Sequence, residues 1–156
     1  MKVAFIGHRN IKESEELEKR LTETVISLIE REGADVFYFG SKSAFDDLCL
    51  KVVTELKERY PHIKRVYARS MYEYVDKSYE DYLLTLYDHT FFPNKVKGAG
   101  ALSYVMRNCI MIDESDVLVT YFDEAHCRTM SRNSGTKISV EYAIKKKKLV
   151  INVFEK

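Results

Sequence analysis

The sequence predicts an α/β protein: a single-domain three-layer sandwich in which a mostly parallel sheet lies between helices. Three observations carry this reading. Short continuous apolar runs of buried-strand type alternate with stretches of helical period along the chain. The length of 156 residues fits one domain of roughly 100–200 residues, so residues 1–156 are taken as one unit. Hydrophobic residues make up 46%, enough to fill the core that a chain of this size buries.

Val3-Ala4-Phe5-Ile6 is the first buried strand, ended by Gly7. From Glu13 to Glu32, Leu17, Leu21, Val25, Leu28 and Ile29 recur at intervals of four and three, the stripe of an amphipathic helix. Val36-Phe37-Tyr38-Phe39 repeats the strand pattern and Gly40-Ser41 breaks it. Ser43-Ala44-Phe45-Asp46 has the Ser-x-x-Asp form of a capping box. It opens a helix to about Tyr60 that buries Phe45, Leu48, Cys49, Val52, Val53 and Leu56, and Pro61 closes it.

Arg65-Val66-Tyr67-Ala68 is a weaker third strand. Residues 71–100 form an irregular Tyr-rich segment, with a helix indicated through Val75, Tyr79, Tyr82, Leu83 and Leu86. Its tyrosines read first as packing, with one or two rings able to stack on a planar ligand. Ala101 to Ile112 is expected to be helical, with Leu102, Val105, Met106, Cys109 and Ile112 on one side. Val117–Tyr121 is a strand, Asp123–Asn133 a polar loop, and Ser134-Gly135-Thr136 opens a last helix ending in Lys145–Lys148 before the closing strand Leu149–Val153. The lysine run reads as a solvated helix end that complements the dipole.

Composition excludes several classes. Twenty-five lysines and arginines against 24 acids give a net charge of +1, which removes any global electrostatic case for nucleic acid or a membrane surface. No apolar run approaches the roughly 18–20 residues of a membrane span. The start lacks the pattern of a signal peptide, so a cytoplasmic location is expected. Cys49, Cys109 and Cys127 form no Cys-x-x-Cys pair and read as reduced thiols, Cys49 and Cys109 packed in the core. His8, His62, His89 and His126 show no metal-ligand spacing, so no metal site is expected. No cofactor is called for.

In a parallel sheet of this kind, ligands sit outside the carboxyl ends of the strands where the order reverses. The loops at those ends carry Gly7-His8-Arg9, Gly40-Ser41, Arg69-Ser70 and the stretch from Asp123 to Thr136. Gly40-Ser41 and Ser134-Gly135-Thr136 each stand between a strand and a helix, where backbone N–H groups favour phosphate. Each has a plainer reading as a glycine turn with a Ser or Thr cap. Neither is a P-loop or a dinucleotide fingerprint. His8-Arg9 could donate to a phosphate or ribose, or be a solvated pair.

The most informative stretch is Arg107-Asn-Cys-Ile-Met111-Ile-Asp113-Glu-Ser115-Asp116, followed by an apolar strand and then Gly135-Thr136 opening a helix. This order resembles the SLOG superfamily of Rossmann-like proteins, which includes the "Lonely guy" phosphoribohydrolases and the DNA-processing protein A family. Gly7-His8-Arg9 and Gly40-Ser41 look most like its small YpsA-like members. The resemblance covers essentially the whole chain. It implies a pocket for a nucleotide or nucleotide-derived small molecule, with Gly40, Ser41, Gly135 and Thr136 at phosphate and Arg107 near the sugar or base. It also implies possible self-association, for which the Tyr-rich segment and the helix around Met106 are candidates. Arg107 alternatively forms a helix-surface ion pair with Asp113 or Glu114, and Asp113 and Asp116 are expected to cap the turn that follows.

The chain departs from the phosphoribohydrolases and the deoxyribosyltransferases where they carry catalytic glutamates. Ile138 and Ser139 stand there, and a serine without a positioned base replaces a carboxylate nucleophile poorly. Glu141, roughly 140° round the helix from Thr136, is the remaining carboxylate. The expected role is therefore a sensor or binding module. The alternative is a nucleotide N-glycosidic hydrolase or transferase with Arg107 and Glu141 as its candidate catalytic residues. Single-stranded DNA binding through a basic face, as the DNA-processing relatives imply, is disfavoured by the near-zero charge.

Overall fold

Strand β1 (Lys2–Phe5), helix α1 (Glu15–Glu32), strand β2 (Val36–Phe39), helix α2 (Ala44–Arg59) and strand β3 (Lys64–Ala68) follow the expected alternation. The computed structural model describes residues 1–128 and 134–155. After β3 come helix α3 (Lys77–Leu86), strand β4 (His89–Phe91), 3-10 turns at Asn94–Val96 and Gly100–Leu102, and helix α4 (Ser103–Asp113). Strand β5 (Val117–Thr120), the short helix α5 (Glu124–Arg128), helix α6 (Gly135–Lys145) and strand β6 (Leu149–Asn152) complete the chain. The described strands form one parallel sheet in the order β4-β3-β2-β1-β5-β6. The chain winds outward from β1 to β4 and then returns to β5, so the order reverses between β1 and β5.

Local chemistry sets the element ends. Ser14 caps α1 by accepting the Leu17 N–H, three glutamates occupy its first turn, and Gly33 ends it at φ 72°, a left-handed conformation suited to glycine. The Asp116 carboxylate accepts the Lys2 N–H at 2.9 Å and fixes the start of β1. It thus ties two strands together instead of capping its own turn, and the Asp113 carboxylate accepts the Tyr142 hydroxyl.

One sheet face buries Phe5, Phe37 and Phe39 against Leu17, Leu21, Phe45, Val53 and Leu83. Each such side chain contributes about 1.5–3 kcal/mol on leaving water. The other face buries Ala4, Ile6, Tyr38, Val66, Ala68 and Leu118 against Met111 and Ile112 of α4 and Val140 and Ala143 of α6. Alternation along each strand divides these residues between two helical layers.

Four sequence expectations change. His89–Phe91 forms a strand that carries no buried apolar run. It pairs because Asp88 accepts the Arg65 N–H at 2.8 Å and its Nε at 3.2 Å, joining the lower ends of β3 and β4. Burial opposes ionisation of Asp88, but the Arg65 bonds outweigh it and bring its pKa down to about 2. In α4 the buried face is Ser103, Arg107, Met111 and Ile112, while Leu102 precedes the helix and is exposed. The helix is rotated because it buries a guanidinium, which apolar periodicity does not count. Cys49 is buried as expected, but Cys109 is half-buried and Cys127 is the second buried thiol. Glu124–Arg128 is helical where a loop was expected, and 129–133 of that loop lie outside the described residues.

A Cβ at Gly7 would overlap the Phe45 ring, which is fully buried at the start of α2. Glycine is therefore required there for packing between β1 and α2. Gly7→Ala should lower stability by about 1–3 kcal/mol, read from the urea midpoint at unchanged slope; an unaltered midpoint would contradict this account.

Candidate functional site

The carboxyl edge of the sheet brings α2, the end of β3 and α4 together over the end of β2. At Gly40 the side chains of α4 lie directly on the backbone. A Cβ on Gly40 would stand 2.5 Å from Met111 Sδ and 2.7 Å from Arg107 Nε, so the missing side chain lets the thioether and the guanidinium stem lie against the backbone. Arg107 is only 3% exposed. Its Nη1 donates to Ser70 Oγ at 3.1 Å, and its Nε and Nη2 donate to Asn108 Oδ1 at 3.3 and 3.2 Å. Its Cζ lies 5.6 Å from the Tyr104 ring centroid. No carboxylate lies within ion-pair distance of it among the described residues, and neither Asp113 nor Glu114 pairs with it.

Opposite Arg107, at the first turn of α2, stands Asp46. Ser43 caps α2 by accepting the Asp46 N–H at 3.1 Å, as the Ser-x-x-Asp pattern requires. The carboxylate does not return the bond to the Ser43 backbone. Its Oδ2 accepts the hydroxyls of Ser41 and Ser43 instead, and its Oδ1 is buried without a partner. Burial pushes the Asp46 pKa up to about 7 against the two serine hydroxyls and the nearby Arg107 charge. Sequence reading missed this residue because a capping box explains an aspartate at that position without giving its carboxylate a role.

Side-chain polar atoms that are buried without a partner mark the same edge. Among the described residues these are Asp46 Oδ1, Arg69 Nε, Ser103 Oγ and Thr120 Oγ1. They sit at the start of α2, beyond β3, at the start of α4 and at the end of β5. Such groups are rare in native structures and each calls for a physical reason. Arg69 also donates from Nη1 to Glu73 O at 3.0 Å. Met71, between these two residues, holds φ 63°, a left-handed conformation costly for its side chain. The Tyr104 hydroxyl lies 2.8 Å from Met71 Sδ. Lys42 adds a cation at the rim, bonded to the Tyr79 hydroxyl at 3.0 Å.

The second group of expected site residues lies at the reversal between β1 and β5. His8 is buried, and its Nε2 accepts the Asp123 N–H at 2.9 Å. Burial, with His126 nearby, lowers its pKa. A neutral ring protonated on Nδ1 follows, and Cys127 Sγ lies 3.9 Å from Nε2. His8 thus holds the β5 loop. Arg9 is exposed and contributes its carbonyl to the Ala44 N–H at 2.9 Å.

Ser134 caps α6 by accepting from Thr136 N and Lys137 N, so its own hydroxyl takes two amides that a phosphate would use. Gly135 is exposed, with open space where a Cβ would be. Thr136 is buried. Gly40-Ser41 and Ser134-Gly135-Thr136 therefore share one edge but follow strands two positions apart, about 10 Å. No hydrogen bond or ion pair joins them among the described residues. Ser139 Oγ donates to Gly135 O at 2.9 Å, and Glu141 is exposed, 4.0 Å from Lys137; neither is brought to Arg107.

Among the described residues there is no group of three His, Cys, Asp or Glu side chains able to hold a metal, and no helix long and apolar enough to cross a membrane. The chain matches no protein-family model, and no curated protein matches it.

A carboxyl whose pKa is raised in the folded state binds its proton more tightly there than in the unfolded chain. Asp46 therefore adds stability as pH falls from about 7 toward 4, and withdraws it as pH rises through the same window. Asp46→Asn should remove this dependence, so that the stability difference between variant and wild type changes by roughly 2–4 kcal/mol across that range. Parallel pH profiles in denaturant titrations would show Asp46 to be unperturbed.

Proposed function

We propose that the chain binds a nucleotide or nucleotide-derived small molecule at the carboxyl edge of its sheet and acts as a sensor or binding module. The observation that carries this is Arg107: a buried guanidinium whose hydrogen-bond acceptors are the neutral side chains of Ser70 and Asn108. Desolvating a cation without an ion pair is costly, and an oxyanion at Arg107 would offset that cost with charge-assisted bonds. Tyr104 beside it and half-exposed Ser41 and Ser70 at the rim offer a ring face and hydroxyls to a nucleoside. The resemblance to the SLOG superfamily supports the same ligand class.

Two observations favour binding over N-glycosidic hydrolysis or transfer. The hydroxyl of Ser139 is turned back onto its own helix. Glu141 faces solvent, with 65% of its side chain exposed.

Thermal shift tests the proposal. Adenine or guanine nucleotides at about 100 times Kd should stabilise the fold by about 2.7 kcal/mol, roughly 5–10 °C for a domain of this size. Arg107→Ala should abolish the shift while folding normally. Gly40→Ala should weaken it, because the Cβ would displace both the Met111 thioether and the guanidinium. Absence of any shift with nucleotides, cyclic dinucleotides and ADP-ribose derivatives would overturn the proposal.

A further inference from the structure

Asp46 is the one carboxylate among the described residues that has a buried oxygen without a partner. Its residue is 3% exposed, its Oδ2 accepts two serine hydroxyls, and its Oδ1 has no partner in the free protein. An ionised carboxylate there would leave a buried acceptor unsatisfied, and a neutral acid would leave a buried donor unsatisfied. Across the end of β2 lies Arg107, whose own ligands are neutral. The Arg107 charge acts on Asp46 with no hydrogen bond or ion pair between the two among the described residues, so the cation has no direct counter-ion and Oδ1 no partner, and an oxyanion reaching both would supply each.

Resting on the reading of this edge as an anion-binding site, we propose that Asp46 binds the ligand's oxyanion as a neutral acid, its Oδ1–H donating to the oxygen that Arg107 holds. The proton comes from solvent and is taken up as the anion binds. The anion replaces the Asp46 charge as the counter-ion of Arg107, and the carboxyl stays in place as a hydrogen-bond donor. The ligand class is an oxyanion such as a phosphate ester, and the specificity favours an acceptor oxygen at this position.

The surroundings fit this division of labour. From α2, Asp47 on the exposed side and the buried Cys49 face Asp46; from β3 and the segment after α3 come Tyr67 and Tyr87; from α4, Arg107; and Lys42 lies in the loop before α2. Burial raises the pKa values of Cys49, Tyr67 and Tyr87, and a hydrogen bond to Tyr79 raises that of Lys42. None of these four takes up a proton near neutrality. Asp46, held at about 7 by its burial, is the group positioned to do so.

Calorimetric titration with inorganic sulfate, whose charge is constant between about pH 5 and 9, tests this when run in buffers of different ionisation heat. The wild type should take up about half a proton per sulfate at pH 7, rising toward one as pH rises to about 9. Its affinity should tighten about tenfold per pH unit as pH falls to about 7 and then level off. Asp46→Asn, which keeps a neutral donor, should bind sulfate with no proton uptake and no pH slope. Wild-type binding without proton uptake would overturn the inference, as would an Asn variant that keeps the wild-type slope. Adenosine monophosphate, corrected for its own ionisation near about 6, separates the two levels. If it binds without extra proton uptake, only the role of Asp46 falls. If neither anion binds, the binding site itself falls.

Discussion

The carboxyl edge of this protein depends on one close approach, that of the Arg107 guanidinium to the backbone of Gly40. A cation is carried out of water onto the end of a central strand, and it can lie there because position 40 has no side chain. Several other features follow from that placement. Helix α4 turns to bury Ser103, Arg107 and Met111 on one side. Ser70 and Asn108 are engaged as ligands of the guanidinium, and Tyr104 lies beside it. Asp46, on the opposite helical layer, experiences the positive charge.

The contrast between this edge and the rest of the fold is one of satisfaction. At the opposite end of the strands, polar groups are tied down: Asp116 takes the Lys2 N–H, Asp88 binds Arg65 through backbone and side chain, and the amino terminus donates to the Gly33 carbonyl. At the carboxyl edge, buried donors and acceptors stand without partners and Met71 keeps an unfavourable φ. Among the described residues, the unmet side-chain hydrogen bonding is thus concentrated at one edge of the sheet.

Much of this was legible in residue order. Apart from His89–Phe91, the strands, with the helices α1 and α2, follow from apolar runs, a four-three stripe, Ser14, Ser43 and Gly33, all of which act locally. Gly40 and Arg107 were each legible as site candidates, but their contact was not, because residues 67 positions apart meet only once β2 and α4 are stacked. Asp46 was hidden by its own capping box. The strand His89–Phe91 escaped notice because its pairing is secured by Asp88 and Arg65 instead of by its own side chains.

By itself, then, the sequence determined the alternation of elements, the apolar faces they bury and the loops that gather at one edge, since these depend on period and turn chemistry within a few residues. The tertiary structure alone decided which polar side chains lose their water. Arg107 looks like any helical arginine until packing places it 3% exposed against Gly40, and Asp46 looks like a cap until two serines and a buried cation surround it. Desolvation depends on the summed shadow of distant elements, and no local pattern encodes that sum.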